Sequence, residues 1–155
     1  MGTDKGDITM AIKPVILIVD DDFMNLTMAQ TILEMKVDAE YLTADSGQAC
    51  LNILRQRAGK IDLILLDIAM PGMDGIQTLT MIRKNPVWAN IQVIFLTAAA
   101  DKTTIVRAAQ LKVKDYVKKP FTPDELISRV EKHLAPQIDD PEIQDIFKAL
   151  DNLGL

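Results

Sequence analysis

The chain has 155 residues, 48% of them hydrophobic and 25% charged, with a formal net charge of −5. That suits one globular domain with a full core, and no apolar run is long enough to cross a bilayer, so membrane insertion is not expected. Five acids and one lysine between Pro136 and Leu155 leave the rest near neutral; no basic stripe offers a footprint for direct nucleic-acid binding, and protein partners are expected instead.

The opening residues contain no apolar h-region, so no secretory signal is expected. The single cysteine, Cys50, excludes an internal disulfide and suits a reducing, cytoplasmic setting.

Residues 1–13 read as a mobile lead-in. Val15 to Val19 is a continuous apolar run, a strand buried on both faces, and it ends in Asp20, Asp21 and Asp22. A helix follows, capped by Asp21 or Asp22, with Met28, Ala29, Ile32, Leu33 and Met35 spaced for one face. Ala39 to Ala44 is a weaker strand. Ser46 caps a helix through Arg57 with Cys50, Ile53 and Leu54 inward, ended by Ala58 and Gly59. Ile61 to Asp67 is the central strand; Pro71, Gly72 and Gly75 mark a loop, and Ile76 to Lys84 is a helix stopped by Pro86. Ile91 to Leu96 is another buried strand reaching Thr97. A helix from Lys102 to Gln110 and a short strand from Lys114 to Lys118 follow. After Lys119-Pro120, a last domain helix runs from Thr122-Pro123 to Leu134, with Leu126, Ile127, Val130 and Leu134 inward.

Five strands alternating with helices call for a parallel sheet covered on both faces. The three fully apolar strands belong in the middle and the two polar ones at the edges. The expected fold is therefore α/β, a flavodoxin-like doubly wound (βα)5 sandwich in the order 2-1-3-4-5.

In that order Asp20, Asp21, Asp67, Thr97 and Lys119 all fall at the carboxyl ends of strands, where open α/β sheets bind ligands. Asp67 is read as the reactive centre, the alternative being an acid that merely opens a turn. Three carboxylates this close repel each other, and a hard divalent cation such as Mg²⁺ relieves that; a solvated acidic rim is the alternative. Lys119 adds a positive charge and Thr97 a hydroxyl, both suited to phosphoryl oxygens. Pro120 allows a cis bond, though trans is the commoner state.

The motifs VDDD at 19–22, LLDIAMPGMDG at 65–75, FLTA at 95–98 and DYVKKPF at 115–121, joined by LTMIR at 79–83 and DELISRV at 124–130, resemble the receiver domain of two-component response regulators of the chemotaxis-type, single-domain kind. The resemblance covers about residues 14–135. It implies that Asp67 accepts a phosphoryl group from a sensor histidine kinase or histidine phosphotransfer protein, making the chain a stoichiometric phosphoacceptor rather than an enzyme, able to assist its own phosphorylation and dephosphorylation. It further implies that Asp21 binds Mg²⁺ directly, that Asp20 acts through water, and that the Ala69 carbonyl supplies another ligand. Lys119 would hold a phosphoryl oxygen, Thr97 would swing toward it, and Tyr116 would turn inward, reshaping a surface for a downstream protein. His133 is expected to face away from the site.

The chain departs from the family where Lys112 and Val113 replace a usual Gly-Ala pair. Ala69 and Ala99 stand where some relatives carry polar residues that steer attacking water. A rival reading is a small phosphohydrolase that forms an aspartyl-phosphate; Asp20 and Asp22 give its DxD, but Met24 stands where Thr is wanted. A flavin carrier would need a hydroxyl-rich phosphate loop where this chain has DDDFMN. Residues 136–155 read as an acidic tail whose Asp140, Pro141 and Glu142 start a short amphipathic helix with Ile143, Ile146, Phe147 and Leu150 on one side. The helix packs on its own domain, forms a linker stub or docks a partner. The chain is either a stand-alone receiver or part of something longer.

Overall fold

The structure is a computed structural model and describes residues 13–98, 101–113, 115–134 and 141–154. Five strands, β1 (Val15–Val19), β2 (Glu40–Ala44), β3 (Leu63–Leu66), β4 (Gln92–Thr97) and β5 (Asp115–Lys118), alternate with α1 (Phe23–Glu34), α2 (Gly47–Gln56), α3 (Gly75–Lys84), α4 (Lys102–Gln110) and α5 (Pro123–Leu134). A further helix, α6 (Pro141–Asn152), follows. The sheet is parallel throughout in the order β2-β1-β3-β4-β5. The three continuous apolar runs take its centre, because only there is a strand covered on both faces.

Alternate side chains along each strand enter different cores. Leu17, Val19, Ile64, Leu66, Val93 and Phe95 face α2, α3 and α4. Ile16, Ile18, Leu63, Leu65, Ile94 and Leu96 face α1 and α5. Helix starts are fixed by side-chain oxygens that satisfy free N–H groups. The Asp22 carboxylate accepts the N–H of Met24 at 2.8 Å, and Ser46 Oγ accepts that of Ala49 at 3.0 Å. Asp74 and Gln77 form a reciprocal capping box at α3. Asp101 caps α4 through Thr104 N–H at 2.7 Å.

The expected elements are all present, with ends moved by one or two residues. Two departures matter, the inward face of α1 and the isomer of the Lys119-Pro120 bond. On α1 the inward residues are Leu26, Ala29 and Leu33, while Met28 and Met35 are exposed. Ala29 and Leu33 face inward as expected and Ile32 packs against the same core; the two methionines do not, because Met is apolar by composition yet flexible enough to lie on a surface. Leu134 packs against that core as expected, at its edge and partly buried. The Lys119-Pro120 peptide is cis, against the general preference for trans. His133 is buried, its Nε2 3.1 Å from Asp115 Oδ2, and Arg129 pairs with the same carboxylate. The lead-in, apart from Lys13, and the position of Ala99 lie outside the described residues.

Candidate functional site

β1, β3, β4 and β5 end at one rim of the sheet, and each delivers a residue there. The backbone N–H of Asp67 donates to Val19 O at 2.9 Å, and that of Lys119 donates to Thr97 O at 3.0 Å. These bonds extend the ladders one residue past the strands and hold Asp67 and Lys119 in register with their neighbours. Asp20 is held in turn by its N–H to Ala44 O at 3.1 Å and by accepting Asp22 N–H on Oδ1 at 2.9 Å.

Asp20, Asp67 and Thr97 are buried, whereas Asp21 is exposed. One carboxylate oxygen from each of Asp20, Asp21 and Asp67 lies within 4.8 Å of the others. The Lys119 ammonium donates to Asp20 Oδ2 at 2.6 Å and stands 3.6 Å from Asp67 Oδ2. Two of the three acids, Asp20 and Asp67, thus share one base. Burial pushes the Asp67 carboxyl above the usual carboxylate range, and Asp20 pushes it further; Lys119, the Ala69 N–H and the Thr97 hydroxyl pull it back. An all-oxygen donor set, with more negative than positive charge and one member open to water, suits Mg²⁺, which keeps several waters of its own.

Five of the expected residues, Asp20, Asp21, Asp67, Thr97 and Lys119, therefore gather. Ala69 lies exposed beside them, with its N–H on the Asp67 carboxylate. Tyr116 stands apart and largely exposed, at the edge of a cavity of about 170 Å³. That cavity is also lined by Ile68, Phe95, Thr97 and Ala108, so it connects the buried threonine to α4. His133 sits against Asp115, which pairs with Ile94, three residues before Thr97 on β4 and away from the rim.

In the sequence Gly75 is only a loop marker. A Cβ there would lie 2.3 Å from Asp67 O and 2.7 Å from Ile68 Cα, so α3 starts directly against the backbone that carries Asp67. Gly75 N–H donates to Ile68 O at 2.8 Å across that contact. The available signal was a glycine at the first turn of a helix, where propensity alone disfavours it.

A model of the response regulator receiver domain family matches residues 16–131. Transcriptional regulatory protein YvrH of Bacillus subtilis is 34% identical over 119 residues, 77% of this chain and 48% of its own. DNA-binding response regulator MtrA of Mycolicibacterium smegmatis is 33% identical over 126 residues, 81% of this chain and 53% of its own. The chain spans about half the length of these curated relatives. Among solved structures, a CheY-like response regulator receiver domain protein from Methanospirillum hungatei matches with a TM-score of 0.70 at 27% identity, over 77% of this chain and 92% of its own. The BeF3-activated DrrB receiver domain matches with a TM-score of 0.69 at 26% identity, over 81% of this chain and all of its own.

Proposed function

Because the chain belongs to the response regulator receiver domain family of two-component signalling, we propose that Asp67 accepts a phosphoryl group from a histidine of a sensor kinase or phosphotransfer protein, with Mg²⁺ held at the acidic cluster. The observation that carries this reading is the buried Asp67 carboxylate, sharing Lys119 with Asp20 while Asp21 lies open to solvent. Such a cluster is costly to keep charged unless charge is brought to it.

In the proposed step an Asp67 oxygen attacks phosphorus, the phosphorus–nitrogen bond to the donor imidazole breaks, and its electron pair stays on that nitrogen. No general base is needed, since a carboxylate is itself the nucleophile and has no proton to lose as it attacks. Lys119 shifts its ammonium from the carboxylates to a phosphoryl oxygen, and Thr97 donates its hydroxyl to another. Asp20, Asp21, Asp67 and the Ala69 carbonyl are the groups that would hold Mg²⁺. When bound, the ion offsets the carboxylates and the charge of the incoming group.

Charge-assisted hydrogen bonds are worth about 1.5–3 kcal/mol each. Two formed only after phosphorylation, from Lys119 and Thr97, favour one state by about 3–6 kcal/mol, against about 5.5 kcal/mol needed to invert a 1:99 population. The cavity beside Tyr116 gives its ring room to move inward, which would reshape the surface of α4 and β5 for a downstream protein. Replacing Thr97 by Ala should uncouple partner binding from phosphorylation; an unchanged response would exclude the relay.

The proposed organisation is a receiver over residues 14–135 and an acidic tail over 136–155, acting in the cytoplasm as a stoichiometric acceptor. No described helix is long and apolar enough to cross a membrane. The relatives YvrH and MtrA are named for transcriptional regulation and DNA binding; absence of direct nucleic-acid contact is proposed for these 155 residues alone. The phosphohydrolase alternative is not favoured: Asp22, the second acid of its DxD, is engaged in capping α1, and Met24 points to solvent.

Incubation with acetyl phosphate, with and without Mg²⁺, tests the proposal. One labile adduct per chain with no further consumption of donor is expected of an acceptor. Sustained turnover of small phosphate esters would support the hydrolase.

A further inference from the structure

Charge is unevenly spread along this chain. Between Gly75 and Lys114 lie Arg83, Lys84, Lys102, Arg107, Lys112 and Lys114 against Asp101 alone, while Pro136 to Leu155 holds five acids and one lysine. Arg83 and Lys84 lie on α3, Lys102 and Arg107 on α4, and Glu142, Asp145 and Asp151 on α6 against Lys148. An acidic protein thus carries a basic sector and, beyond the domain, an acidic helix.

A groove of about 500 Å³ lies between α3 and α4, lined by Gly72, Met73, Gln77, Thr80, Met81 and Arg107. Met81 is 46% exposed, and Arg107 is exposed beside it. Thioethers adapt to many apolar shapes, which suits a helix-binding surface. On α6, Ile146 and Leu150 are exposed, followed by Leu153 just past the helix end, 72% exposed. Their i, i+4, i+7 spacing forms one ridge, and Asp145 and Asp151 are exposed on the same helix. Ridge and groove match in apolar character and oppose in charge.

We propose that α6 of one copy docks in the α3–α4 groove of a second copy, apolar ridge on Met81 and a flanking acid toward Arg107. Distance favours a second copy over the chain's own tail. α5 packs on the α1 side of the sheet, while α3 and α4 cover the other side. From α5 through the sheet to the outer side of α3 and α4 is three layer spacings of about 10 Å each. Across residues 135–140 the chain can carry Pro141 at most about 25 Å from Leu134, too short to lay α6 along its own groove. Reciprocal exchange between two copies closes a two-fold dimer.

Sedimentation of the full chain over a concentration series at low and high salt tests this. A dimer that weakens as salt rises is expected. Met81→Glu in the groove and Ile146→Glu in the ridge should each raise the dimer dissociation constant by at least about tenfold; both sites are exposed, so thermal melts should show both variants folded. Mixing the two variants supplies one intact groove and one intact ridge, and should restore dimers that neither forms alone. A chain that stays monomeric at every concentration, a dimer indifferent to both changes, or a mixture that regains nothing would overturn the proposal. So would NMR shifts at Met81 caused by Ile146→Glu in a species of monomer mass, which would place the helix on its own domain.

Discussion

Lys119 is shared unequally between two acids: its ammonium is 2.6 Å from Asp20 and 3.6 Å from Asp67. It is thus held by Asp20 and poised beside Asp67, the proposed phosphoacceptor. Replacing it with Ala removes a cation that repels Mg²⁺ and attracts phosphoryl oxygens. The Lys119→Ala protein should bind Mg²⁺ at least as tightly as the parent by calorimetry, yet accept phosphoryl groups about 10²–10³-fold more slowly, the usual cost of losing one positioned donor.

Asp67 carries a stability cost that can be measured. Burial raises its folded-state pKa above the unfolded value, so the stabilising contribution is present at low pH and is lost as pH rises through the folded value. At neutral pH the ionised carboxylate therefore works against folding. Asp67→Asn should melt a few degrees higher than the parent at pH 7. The gap should close as pH falls through the carboxylate range, and Mg²⁺ should narrow it at pH 7. An equal or lower melting temperature at pH 7 without Mg²⁺ would contradict the cost assigned to that charge.

Gly75 tests how tightly Asp67 is positioned. An added Cβ meets two backbone positions, Asp67 O and Ile68 Cα, at 2.3 and 2.7 Å, and neither can rotate away. Gly75→Ala should cost about 1–3 kcal/mol in denaturant unfolding and slow phosphoryl acceptance as well. Gly72→Ala is the control. Its φ is +74°, but an added Cβ meets nothing within 4 Å, so it should cost only the backbone strain of about 1 kcal/mol and leave the site intact.

Lys112 holds a left-handed conformation, φ 61°, immediately after the α4 cap residue Leu111. A side chain pays for that conformation where glycine does not. Lys112→Gly should stabilise the protein by about 0.5–1 kcal/mol in urea unfolding, the strain relieved being partly offset by the freer unfolded chain. Loss of stability would mean that Lys112 makes a contact worth more than its strain.

These sites also show what could be read in the chain and what could not. The sheet was legible because LILL and VILIV are apolar at every position, a pattern only central strands need, and the order of strands then brought Asp20, Asp67, Thr97 and Lys119 to one rim. Unequal sharing of Lys119, the Thr97 hydroxyl on the Asp67 carboxylate and the abutment of Gly75 depend on tenths of an ångström between distant segments, which no spacing rule encodes. Arg83 is a further case. Its guanidinium donates to the carbonyls of Leu111, Ala89 and Ile91, tying the end of α3 to the end of α4; in sequence it is merely a basic residue in a last helical turn. His133 against Asp115 was likewise hidden, because 18 residues separate partners that the fold brings within 3.1 Å.

The most direct test of Asp67 as phosphoacceptor is intact-mass and peptide mapping after exposure to acetyl phosphate, run on the parent and on Asp67→Asn with Mg²⁺ or with EDTA. One labile phosphoryl group per chain is expected on Asp67 of the parent with Mg²⁺, little with EDTA, and none on the variant. A modification that maps elsewhere, survives Asp67→Asn, or forms equally well in EDTA would contradict the central claim.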